Sequence, residues 1–162
     1  MRSRLFVVAL LASSIVCGVA LLAQGHVMQS PAAATWGPAP PMLPPGAQIA
    51  VLSGDPSKPV PYSVRLKFPA NYVIGAHSHP TDENVVVVSG VLFTGMGNKL
   101  DKTAGTGLPT GGYALMPANA NHFAYTTQET TIVLYGQGPV EFKYVNPADD
   151  PRNAAKPKTA TK

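Results

Sequence analysis

The sequence predicts an all-β domain, an antiparallel sandwich or barrel, on three observations. Charged residues make up only 12% of the 162, against 17 prolines and 15 glycines, a mixture that favours turns over long amphipathic helices. Short apolar runs recur along the chain, each bounded by Gly, Pro, Asn or Asp, with no helical pattern of about ten residues between them. The length suits one domain with one sizeable core.

Taken in order, residues 1–25 read as a secretory signal. Arg2 and Arg4 form a positive n-region, Leu5 to Ala23 are free of charge, and Ala23-Gln24-Gly25 places small residues for cleavage before His26. An uncleaved anchor is the competing reading, because the apolar stretch runs close to a spanning length. Both put the remainder outside the cytoplasm, periplasmic or secreted, and a cleaved signal leaves no stable membrane contact. Cys17 is the only cysteine and follows Val16, where lipidation needs a small residue. The mature chain then has no disulfide and is stabilised by packing or by metal. Residues 26–46 form an extended Pro/Ala-rich arm with Pro31, Pro38, Pro40, Pro41, Pro44 and Pro45. Trp36 and Met42 would dock it on the domain. His26, as a free N-terminus, could chelate copper, though solvent exposure is the simpler expectation.

Residues 47–148 hold the β-rich domain. The strand-like runs are Gln48–Ser53, Tyr62–Phe68, Tyr72–His77, Asn84–Ser89, Val91–Met96, Tyr113–Pro117, His122–Thr126, Thr130–Tyr135 and Val140–Val145. Val64, Leu66 and Phe68 alternate with Arg65 and Lys67, which marks a strand with one wet face. Val85 to Val88 are apolar on both faces, so that strand is expected to be covered on both sides. From Asp149 to Lys162 the chain is polar, basic and without apolar periodicity, and reads as a disordered tail.

Net charge is +4, from 12 basic and 8 acidic residues. Arg2 and Arg4 at one end and Arg152, Lys156, Lys158 and Lys162 at the other supply six of the basic residues. The rest balances at −2, which excludes a basic nucleic-acid-binding domain. Gly105-Thr106-Gly107 is no phosphate loop, since neither lysine nor helix start follows.

Three of the four histidines form one constellation. His77 and His79 share a face on an extended strand, and the turn-forming Pro80-Thr81-Asp82 can return Glu83 beside them. His122 follows a second turn, Pro117-Ala118-Asn119-Ala120. Three imidazoles and a carboxylate suit one divalent transition metal (Mn, Fe, Co, Ni, Cu or Zn) and leave an octahedral ion two open positions. Asp82 competes with Glu83 for the carboxylate role. Candidate pocket residues are Met96, Phe93, Tyr113 and Thr126. Phe123, Tyr125 and Tyr135 read more simply as core, and by parity Phe123 and Tyr125 point away from the face of His122.

These residues resemble the two motifs of the cupin family. Asn71, His77-Ser78-His79, Glu83 and Gly90 carry the first; Gly111, Pro117-Ala118-Asn119, His122 and Thr126 carry the second. Asn71 and Asn119 stand where the family has glycine, and asparagine is the side chain that best tolerates positive φ. Thr126 replaces a final asparagine and bears only on a local hydrogen bond. The resemblance, which spans Gln48 to Val145, implies an antiparallel jelly-roll β-barrel with metal ligands His77, His79, Glu83 and His122. It also implies a homodimer through an outer sheet face. For function it implies a metal-dependent oxidoreductase, like dioxygenases or oxalate oxidases and decarboxylases, acting on a small enediol, phenolic or carboxylate. A non-catalytic metal- or small-ligand-binding module is the alternative, and a cupin lyase or isomerase is a third. An open, polar-edged cavity over the ligands would favour the enzyme; a plugged barrel mouth would favour the binder.

Overall fold

Residues 26–154 are described by the computed structural model. The expected signal, 1–25, and the last part of the tail, 155–162, lie outside the described residues. Eleven strands follow one another. They are β1 (Gly37–Pro38), β2 (Gln48–Ser53), β3 (Pro61–Phe68), β4 (Val73–Ser78), β5 (Glu83–Ser89), β6 (Val91–Met96), β7 (Thr106–Pro109), β8 (Tyr113–Met116), β9 (His122–Thr126), β10 (Thr130–Gln137) and β11 (Lys143–Tyr144). They form two antiparallel sheets, β1-β2-β3-β10-β5-β8 and β11-β4-β9-β6-β7. The all-β jelly-roll expected from the sequence is the fold observed.

The core lies between the sheets. Along β3 the predicted alternation holds: Tyr62, Val64, Leu66 and Phe68 are buried, and the residues between them only partly so. Phe68 stacks on Tyr72 at 5.0 Å and meets Ile132, Val87 and Leu92 in one cluster. Asn71 and Asn119 both have φ of 61°, the left-handed conformation their positions require. Gly90 turns β5 into β6 at φ 80°, and a Cβ there would stand 2.5 Å from the Glu129 carbonyl oxygen.

The structure corrects three expectations. Val85 and Val87 face the core, but Val86 is half-buried and Val88 is 43% exposed. Within one chain, the outer face of β5 is therefore open. Its neighbours Tyr113, Leu115 and Tyr135 are exposed as well. Residues 147–154 form a 3-10 turn, Pro147–Asp149, and a helical turn, α1 (Pro151–Ala154), where the sequence reads a tail from Asp149. Local hydrogen bonds order them: the Asn146 side chain caps the 3-10 turn, Arg152 pairs with Asp150 at 2.8 Å, and it donates to the Phe142 carbonyl. Finally, β1 and β7 were missed.

The arm docks as expected. Trp36 lies under the Lys67 ammonium at 4.6 Å, and Leu43 enters the core. Tyr144 donates to the Met42 carbonyl at 2.8 Å and Tyr72 to that of Pro44.

Candidate metal centre

β4 and β9 pair in a register that sets His77 opposite His122, with ring centroids 4.3 Å apart. A bulge between Ile74 and His77 shifts the strand's phase. Both Ile74 and His77 consequently face the interior, although they are an odd number of residues apart. His79 follows just beyond β4, its ring 4.9 Å from His77 and 5.1 Å from His122. Asp82 does not compete: its carboxylate accepts from Ala118 N–H at 2.8 Å. Asn119 N–H donates to the His79 carbonyl at 2.7 Å. These two bonds stitch the turns of both motifs together and leave Glu83, first residue of β5, turned inward.

Each imidazole is fixed from behind. Nδ1 of His77 donates to the Gly75 carbonyl at 2.8 Å, that of His79 to Glu141 at 2.7 Å and that of His122 to Ala120 at 3.0 Å. The tautomer follows from the bonds: with the proton on Nδ1, each Nε2 presents a lone pair. Nε2 of His79 and of His122 is buried and without a hydrogen-bond partner. Glu83 stands 3.3 Å from the first and 3.5 Å from the second, too poorly aligned for a hydrogen bond. One ligand atom from each histidine lies within 4.8 Å of the other two. Buried orphan lone pairs are costly, and imidazoles that bind a metal are usually held from behind by a carbonyl or carboxylate in this way. The donor set fits a divalent transition ion.

Protonation favours the same conclusion. Burial, reinforced by the neighbouring His122 and His79, pulls the His77 imidazole down to about 3 from its ordinary 6.5. Burial alone would raise the Glu83 carboxyl, but contact with His122 and the nearby imidazoles of His79 and His77 outweigh it and hold the group low. A neutral imidazole and an ionised carboxylate are what a metal requires.

These shifts set a pH dependence for the metal-free protein. The folded His77 refuses a proton that the unfolded chain accepts, so stability falls as pH drops from 6.5 toward 3. The stability that Glu83 contributes above the ordinary carboxylate range is likewise lost in acid. Urea unfolding of metal-free protein should show stability declining by several kcal/mol, at about 1.4 kcal/mol per pH unit. A flat profile below pH 6.5 would contradict this account.

A polar cavity of about 130 Å³ touches His79 beside Glu141 and Lys143, and two adjoining cavities reach the rest of the cluster. A small one of about 30 Å³ in the core touches His77, His122 and Glu83. A larger one of about 210 Å³ opens outward, lined by Met42, Leu43, Tyr62, Val140 and Phe142, and shares Glu83 with the core cavity. Phe142 lies flat on His77 at 4.5 Å and edge-on to His79 at 4.5 Å.

None of the four candidate pocket residues lines either cavity. Met96 shares the face of His122 but sits at the strand end, more than half exposed. Phe93 faces outward and stacks on Tyr125 at 4.8 Å. Tyr113 is on the outer face of the six-stranded sheet, bonded to Asn84 at 2.8 Å. Thr126 is buried, donating to the Pro69 carbonyl at 2.7 Å and accepting from Tyr72 N–H at 3.1 Å. Tyr125 and Phe123 leave the inner face, as parity requires, yet stay buried: Gly105 lies against both rings. Sequence reasoning missed Phe142 and Leu43. The alternation Val140, Phe142, Tyr144 was a usable signal for the first.

A family profile described as "ChrR Cupin-like domain" matches residues 24–141. No curated protein matches the chain. Among solved structures, a candidate acetylacetone dioxygenase from Methylibium petroleiphilum is similar at TM-score 0.57 and 17% identity, over 79% of this chain and 88% of its own. The polyketide cyclase RemF from Streptomyces resistomycificus is similar at TM-score 0.55 and 15% identity, over 65% and 75%. An RmlC-like cupin from Shewanella frigidimarina is similar at TM-score 0.54 and 13% identity, over 70% and 92%.

Proposed function

The chain belongs to the cupin superfamily, in its ChrR cupin-like family, and from that premise we propose that it is an exported, metal-dependent oxidoreductase acting on a small organic molecule. One divalent transition ion would be held by His77, His79, His122 and Glu83. The observation that carries this reading is the pair of buried, unpartnered Nε2 atoms on His79 and His122, set beside Glu83 in the lining of an open cavity. When bound, the ion supplies a Lewis acid or a dioxygen-binding centre. The chain's own residues fix the donors from behind through the Gly75, Glu141 and Ala120 carbonyls, and exclude bulk water with Leu43 and Phe142. The neighbours' described activities differ among themselves, and a shared barrel does not choose between them.

Export is supported by Arg2, Arg4 and the uncharged stretch to Ala23. Pairing of two copies is supported by the exposed Val88, Tyr113, Leu115 and Tyr135 on one sheet face. The test is to purify protein from the exported fraction and determine its N-terminus, oligomeric state, metal content and dioxygen uptake with phenols, enediols and small acids. A chain beginning at His26 with one metal per chain and dioxygen consumption is expected. Reconstituted protein without stoichiometric metal would sink the metalloprotein reading. Metal without turnover would favour a non-catalytic binding module, which the stacking of Phe142 on His77 supports by narrowing the approach. Product formation without dioxygen uptake would point to a lyase or isomerase.

A further inference from the structure

The larger cavity differs from the metal cluster in character. Its walls are apolar apart from Ser57 and Tyr62, and among its lining residues no lysine, arginine or histidine appears. Lys58, next to Ser57, is turned to solvent and paired with Asp55 at 3.1 Å. The one carboxylate in the lining is Glu83, which also lines the core cavity. An acidic ligand entering here would lose its hydration and meet a carboxylate, with no cation along the walls to replace water. No histidine lines this cavity, so even a divalent ion on the cluster would adjoin it only through Glu83, and the second carboxylate of a diacid finds no partner.

Size narrows the choice further. A volume of about 210 Å³ lies above the roughly 150 Å³ that accepts benzene and below the range of about 300–1,000 Å³ for drug-sized ligands. One ring with a short substituent fits. Polarity is supplied at one place. Tyr62, Gly136 and Glu83 are register partners across β3, β10 and β5, so they share the inner face. Gly136 has no side chain, and the Tyr62 hydroxyl lies 3.5 Å from where its Cβ would stand. The hydroxyl therefore lies over the gap between its own strand and Glu83.

We propose that this cavity binds an uncharged, largely apolar molecule of about one substituted ring, with an oxygen held by the Tyr62 hydroxyl near Glu83. The proposal rests on the metal-centre reading for what would adjoin the cavity through Glu83, and on the cavity alone for which ligand enters. It ranks phenols above oxalate and other small diacids.

Calorimetric titration of the full exported chain tests it, using phenol, toluene, oxalate and malonate against both metal-depleted and zinc-reconstituted protein. Phenol is expected to bind at least about tenfold more tightly than either diacid in both forms, the cost of desolvating an unpaired charge. Tyr62→Phe is expected to weaken phenol by about threefold to tenfold, the worth of one hydrogen bond, and to leave toluene unchanged. Unchanged toluene binding would also show that the variant keeps its cavity. Diacids binding as tightly as phenol would overturn the ligand class; equal loss of phenol and toluene, or of neither, would overturn the role of Tyr62. Failure of zinc to load would count against the metal reading alone, because the metal-depleted titration still reports selectivity.

Discussion

Protein carrying His122→Ala is expected to come through reconstitution with little or no bound metal, whereas the wild type retains one ion per chain. His122 is 1% exposed, opposite His77 in register, and its Nε2, like that of His79, is buried without a hydrogen-bond partner. Changes in the outer shell of a metal site already cost about 10–100-fold in affinity, so loss of a donor should cost at least that. Elemental analysis after gel filtration reads the ratio directly. Asn121→Ala is the control: among the described residues its side chain bonds Asn98, at 2.8 Å and on the surface, and metal content should not change. Full metal occupancy in His122→Ala would remove His122 from the ligand set and leave the three-histidine centre without its basis.

The largest expected effect on stability comes from Phe68→Ala. Phe68 is 2% exposed at the end of β3, stacked on Tyr72 and walled by residues of both sheets. Truncating a buried phenylalanine costs about 3–5 kcal/mol, the transfer energy plus the cavity left behind. A domain of this size has about 5–15 kcal/mol in total, so the variant should unfold at far lower urea. Measured at dilution, on unpaired chains, Val88→Ala on the open outer face should change stability by no more than about 0.5 kcal/mol. Similar midpoints for the two variants would show that the inner and outer faces of the six-stranded sheet have been misassigned.

Much of the site was legible because its signals are local. His77, His79 and Glu83 lie within one strand-turn-strand unit, and the left-handed turns at Asn71 and Asn119 follow from the glycine positions of the resembled motifs, which asparagine can fill. The alternation of β3 reads directly as one buried face. The rest depends on contacts far along the chain. β1 comprises two residues in a proline-rich arm and pairs with β2 only because the arm is docked by Trp36 and Leu43. β7 is broken in sequence by Gly107 and Pro109, yet it pairs with β6, where the absent side chain of Gly107 leaves room for the Phe93 ring. Parity sorts Phe123 from His122 correctly, but it does not tell a strand's middle from its end, where Met96 is more than half exposed. The cavity walls come from the arm, β3, β10 and the segment around Phe142, and no single stretch of sequence displays that combination.

The bond from Tyr144 to Met42 joins residues 102 positions apart. Contacts of such long separation are entropically expensive to close and are formed late relative to hairpin contacts. During synthesis the arm emerges first but cannot settle until Tyr144 and Phe142 have followed. A growing chain can therefore have most of its sheets paired while the binding chamber still lacks its roof. The complete chamber is thus a property of the finished chain rather than of its intermediates.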